Sequence, residues 1–336
     1  MTATPLPAAL AAHRFGLGEA DLAVVGTDAA GWLLAQIGPA EPQRGSGLVS
    51  GAEGLTRQAD VLLEQRQPAM ADAAAQAATA APLRDIAQAD VRARLTTAAS
   101  SRQPFNERLA LFWANHFTVS LAKASTRGAV GAFEREAIRP HIGGRFIDLL
   151  RAAVQHGAML RYLDNDRSAG PDSAIVRRLA GRASPRVTGL NENLARELLE
   201  LHTLGAAGGG AAYGGWGGYT QADVTALAAV LTGWRVPPPD TLAAPGAPSA
   251  WFDASWHQPG PKQVLGRSHP EGPQGLESVL QQLAQHPSTA RFIATKLARH
   301  LVADEPPPAL VARLADSFLQ TGGDLPAVYR SLVLAP

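Results

Sequence analysis

The sequence predicts a mainly α fold, a multi-helix array of orthogonal or bundle-like packing joined by long Gly/Pro-rich loops. Three observations carry this. Apolar residues recur at i, i+3, i+4 and i+7 in one segment after another, the period of a single helical face. Helix start signals stand where those runs begin, and prolines cluster where one of them stops. Strand signals are scarce, and nothing reads as the strand–helix alternation of a parallel sheet.

The elements follow in order. Ala20 to Ile37 reads as a first helical region, and Gly38 to Gly54, rich in Gly, Pro and Ser, as a loop. Thr56 to Ala80 is Ala- and Gln-rich and suits a long, exposed helix. Leu109, Phe112, Trp113, His116 and Phe117 then fall on one face. Phe146, Leu149, Leu150, Ala153, Gly157 and Leu160 repeat the spacing, as do Leu190, Leu194, Leu198, Leu201 and Gly205. Thr220 opens the next helix, with Asp223 completing a variant capping box, and Pro237 to Pro239 end it. Val264 to Gly266 is the one candidate for half of a small hairpin. Pro287 stands at a first helical position, and two final helices carry Leu310, Leu314, Phe318 and then Val328, Leu332. At 336 residues the length allows one large body or two domains. The expected organisation is an N-terminal helical segment over residues 1–100 and a helical core over 101–336, continuous with each other.

Composition excludes several function classes. There is no cysteine, which removes disulfides, thiolate metal sites, iron–sulfur clusters and a Cys nucleophile. Thirty Lys and Arg balance 29 Asp and Glu, so whole-chain charge gives no case for nucleic acid. No run is apolar enough for a membrane span, and no secretory signal is visible, so the cytoplasm is the expected compartment. Gly (33) and Pro (25) are abundant, which makes isolated Gly-rich motifs cheap. No P-loop, Gly-x-Ser-x-Gly elbow or kinase motif set is present, and His-Glu-x-x-His and Glu-x-x-His are absent.

Several segments together resemble one family. They are His13-Arg14-Phe15-Gly16-Leu17-Gly18, Phe112-Trp113-Ala114-Asn115-His116-Phe117-Thr118, Tyr162-Leu163-Asp164-Asn165 and the stretch Asn191 to Gly205. Tyr219 to Val224, Leu231 to Trp234, and His286-Pro287 leading into Phe292, Ile293 and Lys296 complete the set. The chain resembles the bacterial domain of unknown function 1800. The resemblance implies a predominantly helical protein with no assigned activity and no catalytic residues to carry over. It also implies genes that neighbour those of a phosphatase- or sulfatase-like family often carrying an export signal, which makes such a protein the candidate partner and co-export with it an alternative localisation. Members usually run on past the segment matching Tyr329 to Pro336, so this chain looks C-terminally short. The glycine-rich stretch between His202 and Tyr219 is longer than the resemblance leads one to expect. It reads as a surface insertion, with a lid over the following helix as the functional alternative.

The sharpest candidate chemistry lies on the Asn191 to His202 helix. Asn193, Arg196, Glu197 and Glu200 fall at i, i+3, i+4 and i+7, a polar stripe that could position a water or bind a hard cation. A divalent cation is therefore the candidate cofactor. The plain alternative is a solvated face with an Arg196–Glu200 pair. His116 sits on an apolar face, either as a hydrogen-bonded core residue or as a base tuned by burial. Asp164, at a helix C-terminus opposed by the dipole, calls for an Arg or a cation as partner, and Asn165 suits a left-handed cap. His257 and Lys262, in an aromatic-rich loop, are candidate ligand contacts. Lys296, Arg299 and His300 could engage an anion or simply offset a helix dipole. Two functions compete: a hydrolase-type enzyme with Glu197, Glu200 and His116 as catalytic residues, and a non-catalytic binding or assembly partner. The enzyme reading requires Glu197, Glu200, His116 and Asp164 to converge on one pocket.

Overall fold

The computed structural model describes residues 6–65, 77–180, 189–206 and 218–335. The protein is mainly α, as the periodicity predicts. The principal helices are α1 (Ala29–Leu34), α2 (Gly51–Glu64), α3 (Ala81–Ser100), α4 (Pro104–His116), α5 (Val130–Phe133), α6 (Phe146–Val154) and α7 (Gly157–Tyr162). There follow α8 (Asn193–Glu197), α9 (Gln221–Leu231), α10 (Pro273–Ala284), α11 (Pro287–Leu301), α12 (Pro308–Gln320) and α13 (Leu325–Val333). Two small antiparallel hairpins accompany them. β1 (Trp234–Arg235) pairs with β2 (Trp251–Phe252), and β3 (Lys262–Val264) with β4 (Arg267–His269). The second is the hairpin signalled by Val264 to Gly266. The first is too short to leave an alternating pattern.

Local chemistry sets several boundaries. The box at Thr220 is real: its hydroxyl accepts from Asp223 N–H while Asp223 accepts from Thr220 N–H. Pro287 opens α11, and His286 supplies the cap by accepting from Ser288 N–H. The run from Phe146 to Leu160 is two helices, not one, because the chain breaks at Gln155 and His156 Nδ1 caps the second by accepting from Ala158 N–H. The predicted Thr56–Ala80 helix begins earlier, at Gly51 behind a Ser50 cap, and its predicted later part falls on residues 66–76, outside the described residues.

Three segments wind into wide π-type turns with i→i−5 hydrogen bonds: Ala11–Phe15, Glu134–Ile138 and Leu198–Thr203. The first explains the His13–Gly18 motif. Its Arg14 guanidinium reaches the Leu301 and Val302 carbonyls at the end of α11, and Gly16 O accepts from Arg108 on α4. Side chains packed in the main core run from Ala11 to Val333 and include the fully buried rings Phe105, Trp113, Phe117, Phe146, Phe318 and Tyr329. Tyr329 accepts from Trp113 Nε1 at 2.6 Å and donates to Ile142 O at 3.0 Å, so α4 and α13 are joined by a fully satisfied buried bond chain. α10 packs on α6, α12 on α11, and α13 on α12 and α1. Among the described residues no helix is long and apolar enough to cross a membrane.

The most heavily committed polar group is Arg139, 2% exposed. It binds both oxygens of Glu107 on α4, at 2.9 and 2.6 Å, and Glu134 at 3.3 Å. Its Nε also donates to Glu41 O at 2.8 Å. Burial opposes the charge, and the Glu107 and Glu134 carboxylates outweigh it, holding Arg139 above the ordinary guanidinium range. Replacing it leaves the buried Glu107 carboxylate without a counter-charge and Glu134 with Arg94 alone, at 3.3 Å. Arg139→Leu should therefore cost about 3–5 kcal/mol in urea unfolding. A loss no larger than that of an average surface substitution contradicts this account.

Candidate functional site

The end of α4, the end of α7, α8 with its wide turn, and the middle of α11 enclose a polar cleft of about 270 Å³. Its walls include Asn115, His116 and Thr118 from the first, Tyr162 and Leu163 from the second, Glu197, Leu201 and His202 from the third, and Lys296 from the last.

His116 is buried, 4% exposed, and both ring nitrogens are used. Nε2 lies 3.1 Å from His202 O, and Nδ1 lies 2.8 Å from Lys296 Nζ. A carbonyl can only accept, so the proton sits on Nε2 and Nδ1 accepts from the Lys296 amine. Burial, then the Lys296 and His202 charges, hold His116 well below the ordinary histidine range, so it stays neutral. His202 is 4% exposed, and burial followed by the Lys296 charge pushes it down to about 3. Neither of its ring nitrogens has a hydrogen-bond partner among the described residues, and its Nδ1 is fully buried. Burial lowers Lys296 to about 8. Burial and the neighbouring Glu200 charge raise Glu197. The cleft thus joins a carboxylate and an amine whose pKa values are moved toward each other, the pattern expected of acid–base sites.

The wide turn is what brings His202 in. On an uninterrupted helix Leu201 would continue the buried stripe of Leu194 and Leu198. The extra residue in Leu198–Thr203 rotates Leu201 out to 46% exposure and places His202 and Thr203 inside. Thr203 Oγ1 donates to Leu198 O at 2.6 Å, and Leu204 N–H to Leu199 O at 2.8 Å, which satisfies carbonyls that the wide turn frees.

The structure brings together only part of the predicted constellation. Glu197 and His116 share the cleft. Glu200 does not line it and acts on Glu197 through its charge. Asn193 and Arg196 are exposed. Arg196 pairs not with Glu200 but with Glu192 at 3.1 Å and Gln221 Oε1 at 3.0 Å, a network that ties α8 to α9. Asp164 lies just beyond Leu163 and pairs with Lys123 at 2.7 Å. It is Asp164, at φ 58°, that takes the left-handed conformation. Asn165 instead donates to Leu231 O and Trp234 O, each at 3.0 Å. His257 and Lys262 form a pair of their own, 2.8 Å apart, with His257 Nε2 also accepting from Gly272 N–H and its Nδ1 donating to Thr232 O. Among the described residues no three His, Asp or Glu side chains gather into a group that could hold a metal ion. The Gly-rich stretch considered as a lid lies mostly at residues 207–217, outside the described residues.

Sequence reasoning set Lys296 apart from this site, with Arg299 and His300 as an anion contact or a dipole offset, and missed His202. One signal was present for the first. The chain has only three lysines among its 30 basic residues, and two of them bond a histidine. A protein that uses arginine nearly everywhere keeps lysine where a compact amine of adjustable pKa fits.

The model of one protein family, described as "Protein of unknown function (DUF1800)", matches residues 10–336. No curated protein and no solved structure matches the chain.

The buried histidines make stability depend on pH. The native state refuses a proton on His202 until about pH 3, whereas an ordinary histidine accepts one near 6.5. Between these values the unfolded chain binds more protons, so stability falls as pH drops through 6.5 and the loss levels off near 3. His116 adds in the same direction. In unfolding measured across this range, His202→Gln should show a shallower pH dependence than the wild type. Identical slopes contradict the assignment.

Proposed function

Because the chain belongs to the DUF1800 family, whose members carry no assigned activity, its function is read from the cleft, and we propose that it is a hydrolase acting there by acid–base catalysis. Glu197 is the base that takes a proton from the attacking water. Lys296 faces the oxygen on which negative charge develops. His116, held in one tautomer, is a positioning residue that fixes the Lys296 amine. The observation that supports this most is the meeting of a carboxylate shifted upward and an amine shifted downward on one solvent-reached cleft. A carboxylate raised by burial is a stronger base, and a lysine lowered by burial is poised between its charged and neutral forms near working pH. Glu200 supports the first effect from outside the cleft. Asn193, Arg196, Asp164, His257 and Lys262 hold the surrounding loops and helices in this reading.

The test is turnover on a panel of p-nitrophenyl acetate, phosphate and sulfate and a peptide anilide. The wild type should hydrolyse at least one. Glu197→Gln should lower kcat about 100-fold or more, the usual scale for a removed general base. The alkaline limb of the pH profile should fall near pH 8 and be lost in Lys296→Arg. Turnover that is equal in the wild type, Glu197→Gln and Lys296→Met contradicts the reading. A wild type inactive on every substrate, with Lys296 labelled by amine reagents only near the ordinary lysine pKa, favours the other function, a non-catalytic partner of a phosphatase- or sulfatase-like protein.

A further inference from the structure

The charges of the cleft are unequal in their commitments. Lys296 has three donors when protonated and spends one, on His116. Among the described residues no carboxylate stands within ion-pair distance of it, whereas Lys123 has Asp164. An ammonium partly withdrawn from water without a counter-charge is costly, and burial is what lowers its pKa. On the α8 wall His202, more than nine-tenths buried, leaves its buried Nδ1 without a hydrogen-bond partner. A buried polar group in a native structure is rarely left so, and one beside an ammonium without a counter-charge on the walls of one cleft indicates a missing hydrogen-bonding partner.

We propose that the molecule acted on in this cleft carries a small oxyanion, a carboxylate, phosphate or sulfate group, received by the two free N–H groups of Lys296 and by an N–H of His202. The proposal rests on the reading of the cleft as the active site, and adds the substrate class. A neutral imidazole donates from one nitrogen, so His202 meets the anion as a dipole and needs no protonation. An ammonium is a point-charge donor well suited to an oxyanion. The room within about 270 Å³ fits a compact anionic group. Glu197 repels such a ligand when ionised. Binding at the amine draws Lys296 back toward its ordinary value, so anion and proton are taken up together at Lys296 while Glu197 remains the base. The groups facing Lys296 in this exchange are His116, His202 and Glu197, with Glu200 behind the last.

The experiment uses the full chain and three probes, acetate, inorganic phosphate and sulfate. Calorimetry is combined with ¹⁵N detection of the lysine side chains, of which there are three. At least one anion should bind saturably at neutral pH, move the Lys296 resonance and raise its apparent pKa. Lys296→Met should weaken binding about 10-fold or more, the scale of a lost charge-assisted bond, and Lys296→Arg should restore part of it. His202→Phe should weaken it by less. Raising the pH of the wild type through about 8 should release the anion, a readout that does not depend on how any variant folds. Unchanged affinity in Lys296→Met, or a Lys296 resonance that none of the three anions moves, overturns the proposal. The two readings separate cleanly. Turnover of neutral esters without anion binding removes the substrate class and leaves the hydrolase. Anion binding at Lys296 without turnover does the reverse.

Discussion

The guanidinium of Arg139 is the constraint on which the arrangement turns. It sits at the end of the wide turn that follows α5, where Arg139 N–H bonds Glu134 O five residues back. From there it grips Glu107 on α4 and the carbonyl of Glu41 in the loop before α2. A backbone bond from Ala40 N–H to Arg139 O adds to the clamp, and Gln43 shares Glu134. One side chain thereby fixes where the loop, α4 and the α5 segment meet. Its planar fork suits this task, since a lysine could not hold a carboxylate with two parallel bonds and still reach a carbonyl. α4 then carries that order forward: Glu107 is anchored near its start, Trp113 bonds Tyr329, and His116 arrives at the cleft on its last turn.

The cleft itself follows from burial more than from attraction. Glu197, His116 and His202 are moved first by loss of water and only then by their neighbours, and Lys296 by loss of water. Two histidines are driven neutral, and a lysine and a glutamate are brought toward a common range. Cations and anions are kept short of forming an internal salt bridge, which would have quenched both. Elsewhere the same protein pairs its charges readily, with Arg151 on Glu277 at 2.5 Å and Arg135 on Asp90 at 2.6 Å. The contrast marks the cleft as a place where pairing is withheld.

Much of the fold was legible because helical periodicity and caps are local. Phe112, Trp113 and His116 fall on one buried face, and Thr220 with Asp223 starts α9, as their spacing says. The two-residue strands β1 and β2 left no pattern to read, and the break before α7 depends on a histidine acting as a cap. The site was legible only in part. Glu197 and His116 carry their chemistry in their residue types. His202 was hidden because a 3.6-residue period was assumed across a turn that holds more, and that assumption put Leu201 inside. Lys296 was read with Arg299 and His300, and its place beside His116 was hidden because that contact spans 180 positions. The Arg196–Glu200 pairing failed for a related reason: Glu192 and Gln221 compete for the same guanidinium, and Gln221 belongs to another helix.

The wide turn at Leu198–Thr203 makes the chain longer by one residue than the path it spans as an α-helix. Such a turn is a register device: removing a single residue from it would let the helix continue at the ordinary pitch, with the same two ends and the same neighbours. The composition of the helix would scarcely change, yet leucine would face the lysine and the imidazole would face water. The site is therefore encoded in a count of residues as much as in their identities, and shortening the helix by one residue would erase it while keeping every side chain named on its walls except the one removed.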